Sequence, residues 1–298
     1  MVDSALGSDN SFDAESLITG LGLSRPIFWL NNPLLINYLP SEKERNWPLV
    51  FDAVDNWLYH PSYRHLRAEV EASYHSLKRE AQLIFTVSRA LKEYFNRRQG
   101  RVYWIPNGVE ARLLEEDCGG DIPPELGGLE APLLGYVGVI EQRFDARLVA
   151  ELASRLKRGR VVLVGPIWKE GLTGYQRLLT EERVVLLGFR PYSEITRYIK
   201  AFQLCLLPHR LTELTRSMDP LKLYEYLALG RPVVSTPVAG TEKFKGLITI
   251  ASGVEGFLAA VEQIKKEPAE EEKRREALRE ETWEQRVKRI MKIIHSLL

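Results

Sequence analysis

Short apolar runs alternate with amphipathic segments from about residue 25 onward, the pattern of a parallel α/β sheet whose strands are buried on both faces. The first half predicts strands at Pro26–Leu30, Leu49–Val54, Leu83–Val87 and Val102–Ile105, with helices near Tyr63–Ala81 and Arg89–Arg98. Ser88 stands where the second of these helices needs an N-cap. Asn107-Gly108 then reads as a turn, because both residues tolerate positive φ. The stretch from Leu113 to Pro132, rich in Gly, Pro and acidic residues, reads as an interdomain linker. The second half repeats the pattern: strands at Leu133–Val137, Val161–Val164, Val184–Leu187, Leu204–Leu207, Val233–Ser235 and Leu247–Ile250, with helices near Ala146–Arg155, Tyr175–Thr180, Tyr192–Ala201 and 220–229. Gly138, Gly165 and Gly188 follow three of these strands, where small residues serve a turn or the close approach of a ligand. The tail from Pro268 to Leu298 predicts one charged helix, with an apolar stripe of Trp283, Val287, Ile290, Ile294 and Leu297 that suits docking.

With 298 residues, the chain is long enough for about two domains. Hydrophobic content of 45% and charged content of 27% describe a globular protein, and a formal charge of +1 argues against a nucleic-acid partner. Cys118 and Cys205 lack metal-ligand or CxxC spacing, which fits a reducing cytoplasm and predicts no metal. The polar, acidic N-terminus carries no signal-peptide core, and no apolar run is long enough to span a bilayer. The expected location is cytoplasmic, with a local basic patch leaving room for contact with the inner face of a membrane.

The segment from Asp219 to Thr236 adds candidate chemistry. Asp219 is a natural N-cap, Pro220 suits the first helical position, and Gly230 supplies a left-handed stop. Free N–H groups in the first turn, with Lys222 beside them, would receive a diphosphate. Glu225, three residues on and on the same face, could accept both hydroxyls of a ribose. An ordinary crossover helix with a surface Lys–Glu pair accounts for the same local residues.

Taken together, Gly135-Tyr-Val-Gly-Val-Ile-Glu-Gln-Arg-Phe-Asp145, Val162–Pro166, Val185–Tyr192, Leu206–Pro208 and Pro220–Val234 resemble the donor domain of retaining GT-B glycosyltransferases, family 4. The likeness extends to Val50–Trp57, Ile84–Arg89, Ile105–Val109 and Thr282-Trp283. It implies an α/β protein of two Rossmann-like domains: a shortened N-terminal acceptor-side domain over 1–128, a donor domain over 129–270, and a C-terminal helix over 271–298 crossing back onto the first. It further implies transfer of a sugar, with retained configuration, from a UDP- or GDP-sugar to a glycan, glycolipid or small-molecule acceptor, with no cofactor required. By position, Glu225 matches the ribose-binding glutamate, Arg143 and Lys222 the groups that hold the departing diphosphate, and Gly138 the loop that approaches it. Leu221, with its backbone N–H, belongs to the same grip.

Three departures from the family pattern stand out. Ser217 occupies the position where family members often carry a first glutamate, leaving Glu213 or Asp219 to meet the donor sugar. Val139 replaces the basic residue expected directly after the loop glycine. The segments that normally precede Pro26–Pro33 are lacking, which predicts an acceptor pocket that is small, open, or completed by a membrane or a second subunit. Asp52, Asp55 and His60 lie at or beyond a predicted strand end, and Asp55 is the candidate for the acceptor hydroxyl, with capping of the next element as the alternative. A catalytically impaired partner that only binds nucleotide-sugar is the main rival function. A purely structural protein and a sugar-nucleotide epimerase are weaker ones.

Overall fold

The computed structural model describes residues 14–96, 101–115, 120–264 and 268–297. The chain forms two compact units, residues 1–106 with 293–298 and residues 107–292.

In the first unit, α1 (Ala14–Gly20) precedes β1 (Phe28–Leu30), β2 (Leu49–Ala53), α2 (Arg67–Glu80), β3 (Leu83–Thr86), α3 (Arg89–Phe95) and β4 (Val102–Trp104). The four strands pair in parallel in the order β1-β2-β3-β4. Leu30, Phe51, Ala53 and Ile84 pack on one face against Val70, Tyr74 and Leu77 of α2 and against Leu91 and Phe95 of α3. The helix expected near Tyr63–Ala81 begins as a 3-10 turn over Pro61–Leu66, where the His60 imidazole accepts from Ser62 N at 3.3 Å. His60 is therefore a cap. The Ser88 hydroxyl accepts from Leu91 N at 3.2 Å, as its position predicts, and α3 ends before the expected Arg98, which lies outside the described residues.

The second unit contains β5 (Leu133–Val137), α4 (Ala146–Arg155), β6 (Arg160–Val164), α5 (Tyr175–Thr180), β7 (Val184–Gly188), α6 (Tyr192–Ala201), β8 (Leu204–Leu207), α7 (Leu221–Ala228), β9 (Val233–Ser235), β10 (Thr249–Ile250) and α8 (Gly253–Glu262). It ends in α9 (Pro268–Glu276) and α10 (Trp283–Leu297), the latter running on into the residues grouped with the first unit. The parallel strand order is β10-β9-β8-β5-β6-β7. Alternate side chains of β5 reach opposite cores. Leu133 and Val137 join α6 and α7, while Leu134 and Tyr136 join Val149 and Leu152 of α4 and Phe257 of α8. Helices thus cover both faces, as a doubly wound sheet requires.

Three expectations change here. The units divide between Pro106 and Asn107, earlier than the 128/129 boundary, and Leu113 and Leu126 from the supposed linker are buried in the second core. The tail is two helices, because Val109 N–H donates to Glu281 O at 2.9 Å and Trp283 N–H to Val109 O at 3.0 Å, a bridge that a continuous helix could not make. Gly108 permits it, since a Cβ there would lie 2.8 Å from Trp283 N. Of the expected stripe, Trp283 and Val287 are exposed, and the side chain of Leu297 lies outside the described residues. The third change is α8, which was not predicted although Val254, Phe257, Leu258 and Val261 have helical spacing. Gly253 and Gly256 masked it. Among the described residues no helix is long and apolar enough to cross a membrane.

Candidate functional site

The order of strands reverses at β5, which lies between β6 and β8. The chain proceeds outward to β7 on one side and through β9 to β10 on the other. In such sheets the loops leaving the carboxyl ends of the strands flanking that point form the ligand crevice. Here they are Gly138–Asp145 after β5 and Pro208–Pro220 after β8.

The β5 loop is fixed at both ends. Gly138 N–H donates to Val164 O at 2.8 Å, and the Asp145 carboxylate caps α4 by accepting from Leu148 N at 3.0 Å. Gly138 has φ +133°, which L side chains rarely adopt, so the backbone here calls for glycine; a Cβ would also lie 2.9 Å from Lys222 Cε and displace the end of that side chain. Lys222 reaches back from the first turn of α7: its ammonium donates to the Tyr136 hydroxyl at 3.2 Å and lies 4.8 Å from the centre of that ring. Arg143 is ion-paired through Nε with Glu141, which is itself buried. The two loops are sewn together by Asp145 N to Pro208 O and Arg210 N to Arg143 O, both 2.7 Å. Gly138, Arg143 and Lys222 therefore share one side of the second unit. His209 lies on the β8 loop where it bridges to Phe144 of the β5 loop, its imidazole held well below its ordinary pKa by burial and by Lys222 and Arg143.

Asp219 does not cap α7. Its carboxylate accepts from Asn107 N at 2.7 Å and from the Tyr224 hydroxyl at 2.8 Å, while its own carbonyl accepts from Asn107 Nδ2 at 2.6 Å. Pro220 is the N-cap residue, with no side-chain bond to the helix, so Pro220 is not the first helical residue either. The N–H groups of Leu221 and Lys222 precede any intrahelical acceptor, which leaves the positive end of the helix to a ligand. The predicted stop is present. Gly230 has φ +71°, with Gly230 N to Leu227 O at 2.9 Å and Arg231 N to Tyr226 O at 2.9 Å forming a Schellman ending.

One turn along α7, Glu225 is 8% exposed and accepts from the Tyr192 hydroxyl at 3.0 Å. Burial drives its pKa up, opposed by the Tyr192 bond and by Lys222. The Tyr192 hydroxyl also interacts with Glu110, and its own pKa is raised by burial and both carboxylates. Ser217 is buried, and its hydroxyl bonds to Glu213 O at 2.8 Å and Leu214 O at 3.1 Å within its own turn. Glu213 pairs with Arg216 at 3.5 Å on the surface. Tyr136, Tyr192 and His209 were missed in the sequence. Tyr136 and Tyr192 lie inside segments that carry the resemblance, but their contacts with Lys222 and Glu225 depend on which strands are neighbours.

In the first unit, Asp55 bonds through Oδ1 to Asn56 N at 2.7 Å, and its carbonyl accepts from the Tyr74 hydroxyl at 3.3 Å. Asp52, on β2, accepts from the Trp29 side chain, and burial pushes its pKa up to about 6. The Trp29 ring stacks on Phe85 at 5.3 Å and is 40% exposed.

Residues 131–270 match the family model described as Glycosyl transferases group 1. Over 200 residues the chain is 29% identical to TuaH of Bacillus subtilis, named for a glycosyltransferase of teichuronic acid biosynthesis, covering 64% of this chain and 50% of TuaH. The chain thus spans about half the length of that curated relative. Among solved structures, Anabaena HepE in complex with UDP and glucose superposes with a TM-score of 0.72 at 18% identity, covering 95% of this chain and 81% of HepE. An α,α-trehalose-phosphate synthase (UDP-forming) from Burkholderia vietnamiensis gives 0.71 at 14% identity, covering 94% and 77%. The fold is α/β with two Rossmann-like, parallel-sheet units, the fold these solved structures share.

Proposed function

We propose that this chain, whose second unit carries a glycosyl transferases group 1 domain, moves a sugar from a nucleoside-diphosphate donor to an acceptor with the anomeric configuration retained. The observation that carries this reading is the pairing on α7 of an open, Lys222-bearing first turn with a buried Glu225 one turn away. The spacing suits a diphosphate followed by a ribose. Glu225, acceptor-only when ionised, receives the two ribose hydroxyls, and Tyr192 fixes its orientation. The N–H groups of Leu221 and Lys222, the Lys222 ammonium and Arg143 face the diphosphate, with Gly138 leaving the space open.

Charge grows on the diphosphate as the sugar–phosphate bond breaks, and fixed positive groups stabilise that state more than the ground state. No protein nucleophile is needed: the acceptor hydroxyl attacks on the face the diphosphate leaves, and its proton passes to the departing phosphate. Asp52 and Asp55 in the first unit are the candidates to bind the acceptor, which is a glycan, a glycolipid or a small molecule. The naming of TuaH for teichuronic acid biosynthesis puts glycan acceptors first in the trial. Ser217 favours a second reading, donor binding without turnover, because its hydroxyl is engaged in its own turn where a glutamate would reach the sugar.

UDP-, GDP- and ADP-sugars screened by thermal shift against wild type and Glu225→Ala test the donor site, since a native-state ligand stabilises by mass action. One of them should raise the wild-type midpoint and leave the variant unmoved; no shift with any of them refutes the reading. Incubation of that binder, radiolabelled in the sugar, with glycan and lipid acceptors separates transfer from binding alone.

A further inference from the structure

We propose that His209 is a third side-chain ligand of the donor diphosphate, donating its Nε2–H beside Arg143 and Lys222, an inference that rests on the donor site proposed above and adds a residue to it. His209 lies two residues beyond β8 at the switch point, and its backbone forms a bridge with Phe144 of the β5 loop. The loop bonds on either side of it hold the residue against the strand of chain that carries Arg143. Its ring meets Tyr136 edge-on at 6.2 Å, and that same Tyr136 ring carries the Lys222 ammonium. The residue is 4% exposed, and among the described residues Nδ1 is buried with no hydrogen-bond partner.

The protonation state follows from these surroundings. Burial and two nearby cations keep the imidazole neutral, so it carries one N–H and one lone pair. A buried N–H without an acceptor is rarer in folded proteins than an unused lone pair. The proton therefore belongs on Nε2, and the orphaned Nδ1 is the acceptor side. A neutral donor between two cations adds a hydrogen bond to an anion without adding to their mutual repulsion. A residue placed there only to fill space would need no ring nitrogen, and an apolar side chain would avoid the unpaired Nδ1 altogether.

The chain has five histidines, so the Cε1–Hε1 correlations of the intact protein form a short spectrum, with the His209 signal assigned by its loss in His209→Gln. UDP and GDP are titrated beside uridine and guanosine, with calorimetry on wild type, His209→Ala and His209→Gln. The His209 signal should move with the better-binding diphosphate and stay still with its nucleoside. His209→Ala should weaken that diphosphate about tenfold, the size of one hydrogen bond to a charged group, while nucleoside affinity holds. His209→Gln, whose amide can donate from a similar place, should recover most of the loss. A silent His209 signal at saturating diphosphate, or equal losses for diphosphate and nucleoside in His209→Ala, overturns the assignment while sparing the donor site. Failure of wild type to bind either diphosphate overturns both.

Discussion

Two carboxylates, buried Glu225 in the second unit and half-buried Asp52 in the first, meet desolvation in different company. Glu225 has a tyrosine hydroxyl and a lysine acting to keep it ionised. Asp52 has only the Trp29 indole against burial, and its pKa rises to about 6. The difference teaches that burial does not assign a role: it raises both carboxylates, and the partners set how strongly that rise is opposed, by Tyr192 and Lys222 at Glu225 and by Trp29 alone at Asp52. It also separates the units chemically, since the cations gathered around the second sheet's switch point have no counterpart among the groups acting on Asp52.

The largest effect should come from emptying the cationic side. Arg143→Ala should lower turnover about a hundredfold, in keeping with loss of one fixed charge-stabilising group, with circular dichroism unchanged. Near-normal turnover would break the contrast at its stronger end. Asp52→Asn tests the other carboxylate through stability. An acid whose folded pKa is raised contributes stability below its unfolded value, and that contribution disappears as pH rises through about 6. Urea titrations from pH 4 to 7 should therefore show wild type losing about 2 to 3 kcal/mol that the Asp52→Asn variant does not lose, from a shift of about two pKa units. Equal slopes would mean that Asp52 is ionised throughout.

Lys222→Met should bring the two carboxylates closer in behaviour. With its cation gone, Glu225 should titrate higher, and donor affinity by calorimetry at pH 7 should fall about tenfold, more steeply below pH 6. Tyr192→Phe is the mildest change. Loss of one hydrogen bond to the ionised form should move the pH midpoint of donor binding upward and weaken binding about threefold at pH 7. A downward midpoint would show that Tyr192 acts on Glu225 in some other way.

The strands were legible because parallel strands buried on both faces leave continuous apolar runs, and the observed strands lie at the predicted places. Helix α7 and its Gly230 stop were legible for a local reason, since the chemistry of a helix end is written within a few residues. Asp219 was misread for the same reason: an acid before a proline looks like a cap, whereas its partner Asn107 is far away in sequence. The tail break was hidden because Val109, its cause, is equally remote. His209 gives no sign in the chain at all. Its meaning arises only when β8 lies beside β5 and brings Arg143 and Lys222 close enough to act on it.

The bridge of Val109 with Thr282 sets the entering and leaving segments of the second unit side by side, about one strand spacing apart. A unit closed in this way behaves as a cassette. Cut at this bridge, its ends can be joined by a short peptide without unwinding its sheet, which makes residues 109–282 a candidate for circular permutation. Evolution could exploit the same seam, inserting or exchanging the segment between Val109 and Thr282 at two adjacent cuts.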